Sequence, residues 1–280
     1  LKMKAKLGEI YHPLKGKTLG MIFQKSSTRT RVSFEVGMWQ LGGYALFLSA
    51  ADMQLKRGET IADTARNLSR YLDGIMIRTY SHQDVIDLAK YSSIPVINGL
   101  TDLLHPCQVL SDLFTIKEKK GTLEGIKLAY IGDGNNMAHS LMFGGAKTGM
   151  QIVICSPSGF EPDPDITRIL RQDAAESGAA INIESDPALA VKSADIIYTD
   201  VWASMGMEDE HEERLKSFSV YQVNSDLLDE AKEDVLVMHC LPAHRGEEIT
   251  DDVIDGSRSV VFDQAENRLH VQKAIMALII

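Results

Sequence analysis

A chain of 280 residues, 44% hydrophobic and 24% charged, is long enough for two ordinary domains and apolar enough to bury normal cores. Its net charge of -10 disfavours a general nucleic-acid or anionic-membrane binder, so an anionic ligand must be drawn in by a local cationic site. No run of about 18 apolar residues predicts a membrane span, and the three scattered cysteines (Cys107, Cys155, Cys240) form no C-x-x-C pattern, which suggests neither a disulfide framework nor a zinc site and fits a reducing cytoplasm.

The first residues, Leu1-Lys2-Met3-Lys4-Ala5-Lys6, are basic but lack the apolar core of a signal peptide. Short apolar runs then alternate with longer amphipathic ones. Strands are expected at Leu19–Gln24, Tyr44–Ser49, Gly74–Thr79 and Pro95–Asn98, with helices near Ser33–Leu41, Thr60–Tyr71 and His82–Tyr91. In Thr60–Tyr71 the apolar residues Ile61, Ala65 and Leu68 recur at helical spacing. A long helix from about His105 to Lys119 ends in the charged, Gly-bearing break Lys117–Gly121. After the break the alternation restarts. Strands are expected at Lys127–Ile131, Gln151–Cys155, Ala180–Ile183, Ile196–Thr199, Val235–His239 and Ser259–Phe262. Helices are expected at Met137–Lys147, Ile166–Ser177, Ala188–Lys192, Leu227–Lys232 and, closing the chain, Arg268–Ile280. Strand-helix alternation that restarts once predicts two parallel-sheet α/β domains joined by long helices. Ligands in such folds sit beyond the carboxyl ends of the strands.

The segment Ser26-Ser27-Thr28-Arg29-Thr30-Arg31 falls at such an end, between the strand Leu19–Gln24 and the following helix. Hydroxyls and backbone N–H groups at a helix N-terminus suit a dianionic phosphate, and Arg29 adds a bidentate charge-assisted pair. A helix cap with solvated arginines would use the same residue types, but the whole run in this setting favours the anion site. In this setting Ser-Thr-Arg-Thr-Arg resembles the carbamoyl-phosphate loop of the aspartate and ornithine carbamoyltransferases.

Arg78 ends the strand Gly74–Thr79, and His105-Pro106-Cys107-Gln108 follows the strand and turn around Pro95–Leu104. Carbamoyl transfer passes through a tetrahedral intermediate with a developing oxyanion, which needs preorganised donors. The resemblance implies that Arg78, His105 and Gln108 supply them, with Ser27, Thr28, Arg29, Thr30 and Arg268 as further carbamoyl-phosphate contacts. It implies that Gln54, in a polar loop, reaches the phosphate of a neighbouring subunit, which requires an oligomer, and the family is built on trimers.

Gly132-Asp133-Gly134-Asn135-Asn136 invites a dinucleotide-binding reading, but G-x-G-x-x-G would need Gly where Met137 stands, and the next strand ends at Cys155-Ser156 rather than an acidic residue. A tight turn is the plainer expectation. Asp200 could pair with an ammonium, and Ser204 with a carboxylate or amine. Cys240 is either a buried structural thiol or, only as a thiolate, a reactive one. The set is similar to the ornithine branch of the family. The resemblance implies that Asn136, Asp200, Ser204 and Met205 hold ornithine and that Cys240 and Leu241 lie near the reacting amine and the carbamoyl group.

Residues 1–119 with the closing helix 268–280 are then expected to bind carbamoyl phosphate, and 120–267 ornithine. The expected reaction gives L-citrulline and phosphate. The attacking nitrogen belongs to the substrate, so no acyl-enzyme, metal or cofactor is expected. The sequence does not begin with Met, and the family has about one more helix ahead of this region, so a preceding segment is expected. Aspartate would call for extra cations around a second carboxylate. Putrescine would leave Ser204-Met205-Gly206 with less to hold. A non-catalytic paralogue would not need the complete set Arg29, Arg78, His105, Gln108, Asp200 and Cys240.

Overall fold

The structure, a computed structural model, describes every residue except 55–57, 204–210 and the side chain of His211. Two compact units emerge, Leu1–Ser111 with Glu266–Ile280, and Asp112–Ala265.

The first unit holds a parallel sheet of β1 (Thr18–Phe23), β2 (Tyr44–Ser49), β3 (Gly74–Arg78) and β4 (Val96–Leu100), in the order β2-β1-β3-β4. Parallel strands need crossovers, supplied by α2 (Thr28–Gln40), α3 (Ile61–Leu68) and α4 (His82–Tyr91) after a short α1 (Lys2–Lys6). Both faces are covered, so the strands read as near-continuous apolar runs. Met21, Phe23 and Met76 pack with Phe34 and Met38 of α2 and with Met276. Ile22, Ile75 and Ile77 pack on the other face against Ala65 of α3 and Val85 and Leu88 of α4. α5 (Pro106–Lys120) and α12 (Val261–Ile279) each run across a unit boundary.

The second unit holds β5 (Lys127–Ile131), β6 (Gln151–Cys155), β7 (Ala180–Glu184), β8 (Ile196–Thr199) and β9 (Leu236–His239), all parallel, in the order β7-β6-β5-β8-β9. Its helices are α6 (Asn136–Thr148), α7 (Pro164–Ser177), α8 (Pro187–Val191), α9 (His211–Phe218), α10 (Ser225–Asp229) and α11 (Asp251–Ile254).

Each sheet reverses its direction of growth once, between β1 and β3 in the first unit and between β5 and β8 in the second. Such switch points open crevices at the carboxyl ends of the strands. The phosphate loop and Arg78 follow β1 and β3. The Gly132–Asn136 turn and Asp200 follow β5 and β8.

Three local features depart from the sequence expectations. α2 begins at Thr28, with Ser27 as its N-cap accepting from the Thr30 N–H at 3.2 Å, so the phosphate loop is itself the first helical turn. Ser259–Phe262 is not a strand. A single bridge joins Ser259 to Val237, and α12 starts at Val261, because Val260 and Val261 are buried while Phe262 is 70% exposed. The apolar run resembles a buried strand but is the first turn of the closing helix. α9, which bears the polar sequence His-Glu-Glu-Arg, has too little apolar periodicity to be predicted.

The Gly132-Asp133-Gly134 turn follows a backbone logic unrelated to dinucleotides. Gly132 has φ +151°, which favours glycine. A Cβ on Gly134 would lie 2.2 Å from the Pro162 nitrogen, so only glycine admits that close approach. Asn135 then caps α6 by accepting from the Met137 N–H at 2.8 Å. Among the described residues no helix is long and apolar enough to cross a membrane.

Candidate active site

In the first unit the predicted residues converge. Ser27, Thr28, Arg29 and Thr30 form the cap and first turn of α2, where backbone N–H groups and the helix dipole favour an anion. Thr30 is buried, and its Oγ1 accepts from Arg268 Nη2 at 2.7 Å, which brings the last helix to the phosphate loop. Arg78 is buried at the end of β3, paired in register with Phe23 of β1, and its carbonyl accepts from the Gln24 N–H at 2.8 Å. His105 caps α5, its carbonyl accepting from the Gln108 and Val109 N–H groups, and Pro106 occupies the first helical position, where its missing N–H costs nothing. Gln108 is buried one turn along.

The electrostatics bind this cluster together. Burial holds the His105 imidazole well below its usual range, and the charges of Arg268, Arg78 and Arg29 push it further down. Three guanidinium groups therefore bear on one neutral ring. Like charges gathered at a helix N-terminus favour a multiply charged anion, and a neutral imidazole adds a hydrogen-bonding group without a fourth positive charge. The neighbouring Cys107 is no nucleophile. Burial raises its thiol to about 12, and its Sγ faces the Asn98 carbonyl at 3.3 Å.

Several supporting residues escaped prediction. Lys25 pairs with Asp102 and lies over the Tyr80 ring at 4.2 Å. Asp84 accepts from Gln24 Nε2 at 3.3 Å and from Thr79 Oγ1 at 3.1 Å. His82 Nδ1 lies 3.0 Å from Thr101 Oγ1. Together they tie the carboxyl ends of β1, β3 and β4, and hence the arginines and His105, into one frame. No recognised motif signals these pairs; Lys25–Asp102, Gln24–Asp84 and His82–Thr101 join separate segments of the chain. Arg31, the second arginine of the motif, faces away and pairs with Glu35 at 2.9 Å. Gln54 is exposed in the loop after β2, its carbonyl accepting from the Glu59 N–H at 3.2 Å.

In the second unit Asp200 is buried just after β8 and Cys240 half-buried just after β9. Cys240 Sγ donates to Asp200 Oδ1 at 2.9 Å, and the Val201 N–H donates to the same oxygen at 2.8 Å. Asn136 opens α6, half-buried. Ser204 and Met205 lie outside the described residues. Leu241 has φ +58°, a left-handed conformation strained for a branched residue. Its N–H donates to His239 Nδ1 at 2.8 Å, so Nε2 carries the ring proton and donates to Glu248 Oε1 at 3.0 Å, both side chains being fully buried. The His239 N–H donates to Gln264, which in turn donates to Asp112 and Tyr198. Asp200, His239 and Cys240 stand close enough to share an ion, but both His239 ring nitrogens are already engaged.

His105 gives a pH prediction. The unfolded chain takes up a proton on this histidine below about pH 6.5, which the folded chain refuses. Stability from this group is therefore present above that value and falls as the solution becomes more acidic. In ¹⁵N-detected spectra of the histidine rings, His105 is expected to remain neutral through about pH 6.5, where an ordinary histidine is half protonated; a titration midpoint near 6.5 would contradict the buried, arginine-flanked ring.

Both halves of the chain are similar to known proteins. Residues 1–118 match the family model described as the carbamoyl-P binding domain of aspartate/ornithine carbamoyltransferase, and residues 124–279 the one described as its Asp/Orn binding domain. Ornithine carbamoyltransferase of Thermococcus kodakarensis is 63% identical over 279 residues, covering 100% of this chain and 89% of the relative. The structure of ornithine carbamoyltransferase from Pyrococcus furiosus superimposes with a TM-score of 0.97 at 62% identity, over 99% of this chain and 89% of that one. That of the anabolic ornithine carbamoyltransferase from Campylobacter jejuni gives 0.94 at 42% identity, over 99% of this chain and 91% of that one. Matched in both halves and along its whole length, the chain belongs to the aspartate/ornithine carbamoyltransferase family.

Proposed function

We infer that the chain transfers the carbamoyl group of carbamoyl phosphate to the side-chain amine of L-ornithine, giving L-citrulline and phosphate. The observation that carries this is the convergence of Arg29, Arg78 and Arg268 on the neutral His105, beside Gln108 and the N-terminus of α2. The relatives' names support ornithine as the acceptor, and the Campylobacter protein's name supports an anabolic role in amino-acid biosynthesis.

Ser27, Thr28, Arg29 and Thr30 hold the phosphate, with Arg268 fixed through Thr30. Arg78, His105 and Gln108 meet the carbamoyl carbonyl and amide. Asn136 and Asp200, with Ser204 and Met205, hold the amino-acid end of ornithine, while Cys240 and Leu241 lie near the reacting groups. The amine nitrogen attacks the carbonyl carbon, and the negative charge on the carbonyl oxygen is stabilised by the buried donors. The bond from carbon to the phosphate oxygen then breaks, and the departing phosphate accepts the amine proton. Three thiols without disulfides support a reducing, cytoplasmic setting.

Only the neutral amine attacks, and an alkylammonium has a pKa of about 10.4, each unit above the working pH adding roughly 1.4 kcal/mol to the barrier. Activity with ornithine is expected to rise from about pH 7 to pH 9, and a flat profile over that range would contradict attack by the minority free amine. Arg29→Lys keeps the charge but loses the bidentate fork. Its kcat/KM is expected to fall by about 3 kcal/mol in transition-state stabilisation, roughly a hundredfold. An unchanged kcat/KM would remove Arg29 from the site.

The site is further proposed to be shared in a homotrimer, or a multiple of trimers, with Gln54 reaching the phosphate bound by a neighbouring subunit. An apolar face supports an assembly. Val32, Val36 and Trp39 lie on one stripe of α2, and Tyr44 and Leu46 on the edge strand β2, all exposed, Trp39 by 74%. Mixing and reassembling Arg29→Ala and Gln54→Ala proteins, each of low activity, is expected to restore part of the activity, since some sites would then have both residues intact. No recovery from verified hybrid oligomers would contradict the shared site.

A further inference from the structure

The Gly132–Asn136 turn follows β5 and leads into α6. Its acidic residue, Asp133, is buried and paired with Arg214 of α9. Arg214 Nη1 donates to Asp133 Oδ2 at 2.8 Å and to the Trp202 carbonyl at 2.8 Å. The guanidinium carbon lies 5.0 Å from the centroid of the Phe160 ring, and Trp202, Phe160 and Phe218 of α9 pack as an aromatic cluster. One buried arginine thus joins the turn after β5 to the loop after β8, the two segments flanking the switch point of this sheet.

The two segments carry the acceptor residues. Asp133 stands three residues before Asn136, with Asn135 capping α6 between them. Trp202 stands two residues after Asp200. We propose that Arg214 is a positioning residue for the amino-acid substrate: by holding the Asp133 carboxylate and the Trp202 carbonyl together, it fixes the loops that present Asn136 and Asp200. The proposal rests on the reading of those two residues as ornithine contacts.

Charge supports the same role. The carboxylates of Asp200 and Asp133 both push the buried Tyr130 hydroxyl upward, so the two acids lie in one neighbourhood. Arg214 compensates the charge of Asp133. A buried ion pair is weak evidence for stability by itself, since desolvation offsets its attraction, but it can impose a single geometry. All of these contacts lie within the second unit, whereas the residues assigned to carbamoyl phosphate, other than Cys240 and Leu241, lie in the first.

The test compares KM values for the two substrates in the full-length protein. For Arg214→Gln the ornithine KM is expected to rise roughly tenfold or more while the carbamoyl phosphate KM stays within about twofold. Because a lone buried carboxylate could unfold the variant, Arg214→Met combined with Asp133→Leu is measured in parallel. Replacing both partners by apolar groups can leave stability near native, so the double variant separates folding from positioning. A high ornithine KM in a double variant of native thermal midpoint supports the proposal. A native ornithine KM in either folded variant overturns it, as does an equal rise in both KM values. Asp200→Ala serves as the control. If its ornithine KM is native, the reading of the acceptor site fails and takes the proposal with it. If Asp200→Ala raises that KM and the Arg214 variants do not, only the proposal fails.

Discussion

Burial and the charges of Arg268, Arg78 and Arg29 together hold the His105 imidazole well below its usual range, so three guanidinium groups meet on one neutral ring. Arg78 and Arg268 are buried, and burying a guanidinium costs solvation. The fold holds them by means that do not depend on their mutual attraction. Arg78 is fixed by the register of β3 against β1, Arg29 by the first turn of α2, and Arg268 by its hydrogen bond to Thr30. The Lys25–Asp102 pair and the Asp84 and Thr101 contacts hold the intervening loops. His105 must stay uncharged there, since a fourth cation would add to the repulsion. The chain's overall charge of -10 makes this local concentration of positive charge the more telling.

The second unit places a buried carboxylate, Asp200, at the end of β8. Asp200 is held by the Val201 N–H and the Cys240 thiol. Cys240 is placed by a loop whose strained Leu241 is held by His239, and His239 belongs to a buried polar network that includes Glu248, Gln264, Asp112 and Tyr198. Every link in that network uses a specific donor and acceptor, as an interior of low dielectric requires. Cys240 acts here as a hydrogen-bond donor to Asp200.

The alternation of apolar strands with amphipathic helices was legible because each sheet is parallel and covered on both faces, which makes strands read as continuous apolar runs. The same property misled at Ser259–Phe262, where an apolar helix start has the composition of a strand. The site residues were legible where a motif is contiguous, as in Ser27–Arg31 and His105–Gln108. They were not legible where chemistry depends on partners far apart in sequence. Thr30 meets Arg268 and Asp133 meets Arg214 only because the fold brings distant segments of the chain together. Arg31 stands in the same motif but is exposed and pairs with Glu35.

The most direct test of carbamoyl transfer to ornithine is to follow product formation from carbamoyl phosphate with L-ornithine, L-aspartate, putrescine and an N-acylated ornithine, each supplied separately to the purified protein. Rapid citrulline formation with ornithine, and little carbamoylation of the other three, is the predicted outcome. Preferential carbamoylation of any of the other amines, or no citrulline from ornithine, would contradict it.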